Sequence, residues 1–314
     1  MASLRNQSLP PPTFLLTGIL GLEARSRWVS IPFCFVYAVA VLGNGSVFFV
    51  IVKDRSLHKP MHLFLSMLAV SELGVSLSTL PTVLNVFLFD IREIGLDACL
   101  AQMFFIHGFS IMDSGVLWAM ALDRFVAIYN PLQYAAILTN DRITMIGSGI
   151  ALKSIILLAP LPLLLRRLPF CKATVLAHPY CLHPNLIQLP CADTTINNLY
   201  GLFVLLCTFG LDSLCIVLSY TMIVKTVLSI ASKEGRLKAL NTCASHICAV
   251  VVYYTPMISL SMVYRFGKHA SPVVPSLMAN IYLLVPPVLN PIIYSIKTKE
   301  ILKAFGRLFC PRKF

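Results

Sequence analysis

Few residues in this chain could do chemistry, and their settings are unusual. Only 13 Asp and Glu and 25 Lys and Arg occur among 314 residues. Glu72 and Asp113 stand alone inside long apolar runs, as do Lys153 and Asp212. A carboxylate in such a run is costly, so it is either protonated and hydrogen-bonded or part of a site. Two oxygen-bearing acids suit a hard cation. The sequence names no partner for Lys153 or Asp212. Asp123-Arg124 is an adjacent acid and base at the end of another run. It reads as a snorkelling interfacial pair, or as a latch closed in one conformation and open in another. Cys99, Cys171, Cys181 and Cys191 form an even set, for which three pairings are open. His178, Cys181 and His183 could hold a metal, unless a disulfide takes the Cys181 thiolate. No nucleophile–base pair or metal-ligand spacing occurs, which argues against an enzyme.

The elements that hold these residues follow from composition. Hydrophobic residues make up 57% and charged residues 12%, against roughly 25% charged in soluble domains. The mean hydropathy is +0.81. Such a chain cannot coat a water-facing surface, and the solvent it suits is a bilayer. Seven runs long enough to cross one, at roughly 20 residues each, fall at 28–52, 61–84, 99–128, 143–165, 198–228, 239–264 and 273–296. They are too long and continuous for barrel strands, so helices are predicted. The fold expected is an all-α membrane protein, a seven-helix transmembrane bundle. Residues 1–27 form an outer tail, 28–296 the bundle and 297–314 a cytoplasmic tail.

The formal charge of +12 lies mostly in short loops. No basic–aromatic platform accompanies it, so nucleic acid is not an expected partner. Fifteen Lys and Arg flank the C-terminal side of the spans and nine the other. That bias predicts a multi-pass plasma-membrane protein with its N-terminus outside and C-terminus inside. The four loop cysteines then face an oxidising space, and Asn6 heads an accessible glycosylation sequon. Phe14–Leu22 could be the apolar core of a signal peptide, but no clean cleavage site follows it. Lys299, Lys303 and Arg307 alternate with Ile301, Leu302, Phe305 and Leu308, a short amphipathic helix for the inner leaflet. Cys310 behind it is placed for palmitoylation, or is a free thiol.

Several strings fall in one register: Gly43-Asn44, Leu57-His58-Lys59-Pro60-Met61, Met120 to Ile128 around Asp123-Arg124-Phe125, Lys238-Ala239-Leu240-Asn241-Thr242-Cys243-Ala244-Ser245-His246, and Pro287-Val288-Leu289-Asn290-Pro291-Ile292-Ile293-Tyr294. Together they resemble a rhodopsin-like G-protein-coupled receptor, and within that group an odorant receptor. The long loop with Cys181-Leu182-His183 and the run Gly210 to Leu214 resemble the fish-like class I. The chain departs from the family where Phe125 replaces the usual Tyr and Glu72 the usual Asp.

That resemblance implies roles. Asp123 and Arg124 would be the G-protein switch, with Asn290, Pro291 and Tyr294 as the seventh-helix hinge. Glu72 and Asp113 would share a sodium ion beside Asn44 and Asn290, with no other cofactor. Cys99 would pair with Cys181, leaving Cys171 for Cys191, so that the long loop becomes a lid. The ligand would lie beneath it. His107, about 12 Å below Cys99 at 1.5 Å per residue, would face it with Phe104 and Phe105. Leu202, Leu205 and Ser259 or Leu260 would supply wall, and His183 the top. Ser261 and Arg265 share a helix face, and a guanidinium there suits a carboxylate. The partners implied are a small odorant, such as a short- to medium-chain carboxylic acid, and a stimulatory, olfactory-type heterotrimeric G protein that raises cyclic AMP. A transporter would favour repeated halves or broken helices in matching positions, and neither is visible. A retinal receptor needs a lysine in the seventh span, and Pro272 to Ile296 has none.

Overall fold

A computed structural model describes residues 13–18, 26–170, 175–176, 178–266, 273–297 and 299–309. Seven of its helices are long and apolar enough to cross a membrane. They are α1 (Ser26–Lys53), α2 (Pro60–Phe87), α3 (Leu96–Tyr129), α4 (Asn140–Arg166), α5 (Thr195–Ser229), α6 (Lys233–Phe266) and α7 (Val273–Lys297). A shorter α8 (Lys299–Phe309) follows. Each contains its predicted run and extends past at least one of its ends, because end turns carry polar residues that hydropathy discounts. Pro60 starts α2 at a position where no N–H is needed.

Large apolar side chains such as Trp28, Phe35, Leu163 and Val217 point outward, which suits lipid. The interior is packed around α3, which touches α2, α4, α5 and α6, while α1, α2, α6 and α7 close the ring. Close approach depends on small residues. A Cβ on Gly74 would stand 2.5 Å from the Phe109 ring, and one on Gly115 2.8 Å from Ile150.

Two helices are locally irregular. α4 breaks after Leu158, where Pro160 begins its last segment. α5 contains a π-helical turn over Leu206–Gly210. Such turns recur at functional sites.

We call the end of the bundle that carries Cys99 the head and the end that carries Arg124 the foot. A three-stranded sheet sits at the head. Its strands are β1 (Thr13–Leu16), β2 (Glu93–Gly95) and β3 (Val175–Leu176), in the order β2-β1-β3. β1 runs antiparallel to β2, with Phe14 opposite Ile94, and parallel to β3, with Leu16 opposite Leu176. Phe14 and Leu16 are buried, and the Phe14 ring meets Phe170 edge-on at 5.3 Å. The apolar stretch weighed as a signal peptide therefore begins with a core strand. At the foot, α8 buries Ile301 and Ala304 and leaves Leu302 and Phe305 outside. Both charged ends of α8 reach the turn after α1: Arg307 lies 2.6 Å from Asp54, and Glu300 3.0 Å from Lys59.

Candidate functional site

The long loop closes over the head as a lid. Cys181 is disulfide-bonded to Cys99, with Cα atoms 5.5 Å apart. That removes the thiolate a metal at His178, Cys181 and His183 would need. Further bonds fix the lid to three helices. The Cys181 N–H donates to Gln102 Oε1 (2.8 Å), the His183 N–H to His107 Nε2 (3.2 Å) and the Tyr180 hydroxyl to Asn280 Oδ1 (3.0 Å). His178 Nε2 meets the Tyr264 hydroxyl at 2.7 Å and its ring stacks on Tyr180. Burial pushes the His178 imidazole down to about 4, so it is neutral at physiological pH.

Under the lid lies a cavity of about 630 Å³, a size typical of small-molecule sites. His107 and Ile111 of α3 face it, with Gly201, Val204, Leu205 and Phe209 of α5, and Met257, Leu260, Ser261 and Tyr264 of α6. His183, Ile187 and Gln188 of the lid and Tyr282 of α7 complete much of its wall. His107, Leu205, Ser261 and His183 thus come together as the sequence suggests, with Leu260 rather than Ser259.

Phe104 and Leu202 are not among the lining residues. The disulfide and Gln102 draw the lid over the first turns of α3, so the cavity begins at His107 and Phe104 packs into the core beside Phe105. On α5 the lining stripe is Asn198, Gly201, Val204 and Leu205, a neighbour of the stripe through Leu202. Spacing alone does not choose between the two. The side chain of Arg265 lies outside the described residues, as do Asn6, Cys171 and Cys310. Cys191 is disulfide-bonded.

Beneath the cavity α6 is tied to α3 at successive levels. The Tyr253 hydroxyl donates to the Ser110 carbonyl. Tyr254 meets Ser114 at 2.7 Å, and Ser114 donates to Asp212 Oδ2 at 3.0 Å. Lower still, His246 Nε2 meets the Leu117 carbonyl at 2.9 Å and its Nδ1 meets the Tyr220 hydroxyl at 2.7 Å. Asp212 has the partner that the sequence does not name: Lys153 Nζ lies 2.9 Å from its Oδ1. One polar chain therefore joins α4, α5, α3 and α6.

Glu72 and Asp113 are both buried. Asn290 Nδ2 donates to Glu72 Oε1 and Ser71 Oγ donates to Asp113 Oδ1. Glu72 Oε2 and Asn290 Oδ1 are buried with no hydrogen-bond partner among the described residues. An all-oxygen set with orphaned oxygens fits a small hard cation. Asn44 flanks Glu72 and has a second task. Pro291 has no N–H for the carbonyl four residues back, that of Pro287, and Asn44 Nδ2 donates to that oxygen at 2.8 Å. Gly43 leaves room for the same proline, since a Cβ there would stand 3.1 Å from its ring.

At the foot, Arg124 Nη2 lies 3.3 Å from Asp123 Oδ2, and the Tyr134 hydroxyl donates to Asp123 Oδ1 at 2.6 Å. Arg124, Tyr134, Leu237, Asn241 and Tyr294 face a hollow of about 1400 Å³. The head thus has a ligand-sized cavity, the foot a larger hollow, and hydrogen-bonded contacts between helices lie between them.

Comparisons with known proteins agree with this arrangement. Squid rhodopsin, a solved structure, superposes with a TM-score of 0.72 over 91% of this chain and 81% of that one. At 18% identity this speaks to the fold alone. Olfactory receptor 51F2 of Homo sapiens is 56% identical over 304 residues, covering 97% of this chain and 89% of the relative. Olfactory receptor 51G1, also of Homo sapiens, is 55% identical over 98% of this chain and 96% of the relative. The family description "Olfactory receptor" matches residues 33–312. That match takes in α3, α4, α5, α6, α7 and the lid, and so every described residue that lines the cavity or ties α6 to α3; the chain belongs to the olfactory receptor family.

Proposed function

We propose that this receptor sits in the plasma membrane with its head outside. It takes a short- to medium-chain carboxylic acid, or a similarly polar odorant, into the head cavity, and it activates a stimulatory, olfactory-type G protein that raises cyclic AMP. One observation carries the reading: the cavity floor adjoins the contacts that hold α6 to α3. Ile111 lines the cavity and follows Ser110, whose carbonyl accepts from Tyr253. A ligand that repositions this level biases the Asp123–Arg124 contact about three to four helical turns below. As a receptor and not an enzyme, the molecule needs only differential affinity for two states.

His107, Ser261, Leu205 and His183 would contact the ligand. Arg265, one turn headward of Ser261 on α6, would hold the acid group. Glu72 and Asp113, with Asn290, would hold sodium. Asp123, Arg124, Pro291 and Tyr294 would carry the switch. The basic residues of the foot loops and the sequon at Asn6 support the orientation.

The test is a cyclic-AMP screen of straight-chain acids against their alcohols in cells that carry the olfactory stimulatory G protein. A charge-assisted bond is worth about 1.5–3 kcal/mol, roughly 10- to 150-fold in potency. Arg265→Ala should therefore weaken acids by that factor and leave alcohols nearly unchanged. Equal shifts for both would remove Arg265 and the acid preference together.

A further inference from the structure

The lid is not uniform over the cavity. Its first part is shut: His178, Tyr180, Cys181 and Leu182 are all buried, and the bonds to Tyr264, Asn280 and Gln102 fix them. Toward the foot, the seam between α4 and α5 is closed by the Tyr200 hydroxyl, which donates to the Leu157 carbonyl at 2.9 Å.

The second part of the lid differs. Gln188, Ala192 and Asn198 line the cavity and are also exposed. Side chains that face both the cavity and the surroundings mark a mouth. Its rim is held by backbone, since Phe170 bridges Pro190 and the Cys191 N–H donates to the Pro169 carbonyl at 3.0 Å. Ile196 and Leu199, beside Asn198 in the first turns of α5, are 70% and 61% exposed. Apolar side chains so open at a span end suit the lipid headgroup layer.

We propose that ligand reaches the cavity sideways, through this mouth at the head of α5, while the roof from His178 to Leu182 stays shut. The proposal rests on the cavity being the ligand site and on the head facing outward. A mouth at headgroup level favours small amphiphiles, which concentrate there by partition before they bind.

The test needs no known ligand. Val204, buried in the cavity wall, is replaced in the full-length receptor by cysteine (Val204→Cys). A small cationic thiosulfonate is added outside the cells, and site-specific labelling is read by mass spectrometry with the unaltered chain as background. The introduced thiol should label, and adding Ala192→Trp or Asn198→Trp should slow it by about ten-fold or more. Adding Tyr180→Phe, which removes one roof bond, should leave the rate as it was. If either tryptophan variant is lost from the surface, Gln188→Trp at the same rim replaces it. Unchanged labelling in the rim variants at normal surface level would overturn the proposal. So would faster labelling from Tyr180→Phe, or no labelling of the introduced thiol at all. Labelling gated by the rim in a chain that no odorant activates would leave the mouth standing and remove the function proposed above.

Discussion

The Lys153–Asp212 pair offers a quantitative test of how the interior is held. Lys153 stands at the midpoint of α4, about 20 Å from either end at 1.5 Å per residue, too far for its ammonium to snorkel out. Its side chain is 33% exposed, and that of Asp212 only 6%. Lys153→Met leaves the Asp212 carboxylate buried with Ser114 as its remaining partner. Removing one member of a buried pair costs about 3–5 kcal/mol. Asp212→Asn strands an ammonium at mid-membrane, which costs about 2.5–3.5 kcal/mol on insertion scales. The double variant has no charge to strand, and replacing a whole buried pair with neutral groups is often close to neutral. Each single variant should therefore lower the melting temperature of the solubilised receptor by roughly 10 °C, at about 2–4 °C per kcal/mol for large domains. The double variant should recover most of that loss. Thermal melts in detergent, with surface level by flow cytometry, measure both. If the two losses simply add in the double variant, the pair is two independent polar residues and the reasoning fails.

The buried His178 makes the lid pH-sensitive. An exposed imidazole takes up a proton below about 6.5, whereas this one resists to about 4. The share of stability that His178 carries should thus be flat above about pH 6.5 and fall as pH drops through that window, by up to about 1.4 kcal/mol per pH unit; melts against pH should show a shallower slope in His178→Gln, by one histidine's share. A Cβ at Gly201 would stand 2.7 Å from His183 Cε1, so Gly201→Ala should displace that ring into the cavity and raise the half-maximal odorant concentration at unchanged surface level. Loss of an acid from the cation set should matter more than loss of volume: Asp113→Asn should weaken the effect of sodium on basal cyclic AMP, and a full sodium response would assign Asp113 a purely structural role. Arg124→Ala should silence cyclic-AMP signalling while the receptor still reaches the surface, and a normal response would deny Arg124 its place in the switch.

The seven spans are legible because a helix in lipid must be apolar over its full length, a signal carried by some twenty residues at a time. The strings around Arg124, His246 and Asn290 are legible as a register. The partner of Asp212 is not, because Lys153 lies 59 residues away on another helix and nothing in either segment encodes their facing. Leu202 and Phe104 fall off the cavity wall for a related reason. Helical spacing gives candidate stripes, but the lid decides how deep the cavity starts and which stripe of α5 turns inward. β1 stays hidden because four alternating residues in a short apolar stretch carry no periodicity that separates a strand from a leader.

The place of β1 sets the timetable of assembly. Its Leu16 pairs with Leu176, and the chain between them must be made and threaded through the membrane before the partner exists. At about 5–20 residues per second, β1 can pair with β2 early but waits roughly ten to thirty seconds for β3, with its second edge open. The sheet at the head is thus completed only when the lid has been made, although two of its strands precede the third helix. Interventions there, such as an epitope tag set too close to Thr13, would act on maturation and export, and would leave the finished pocket chemically unaltered.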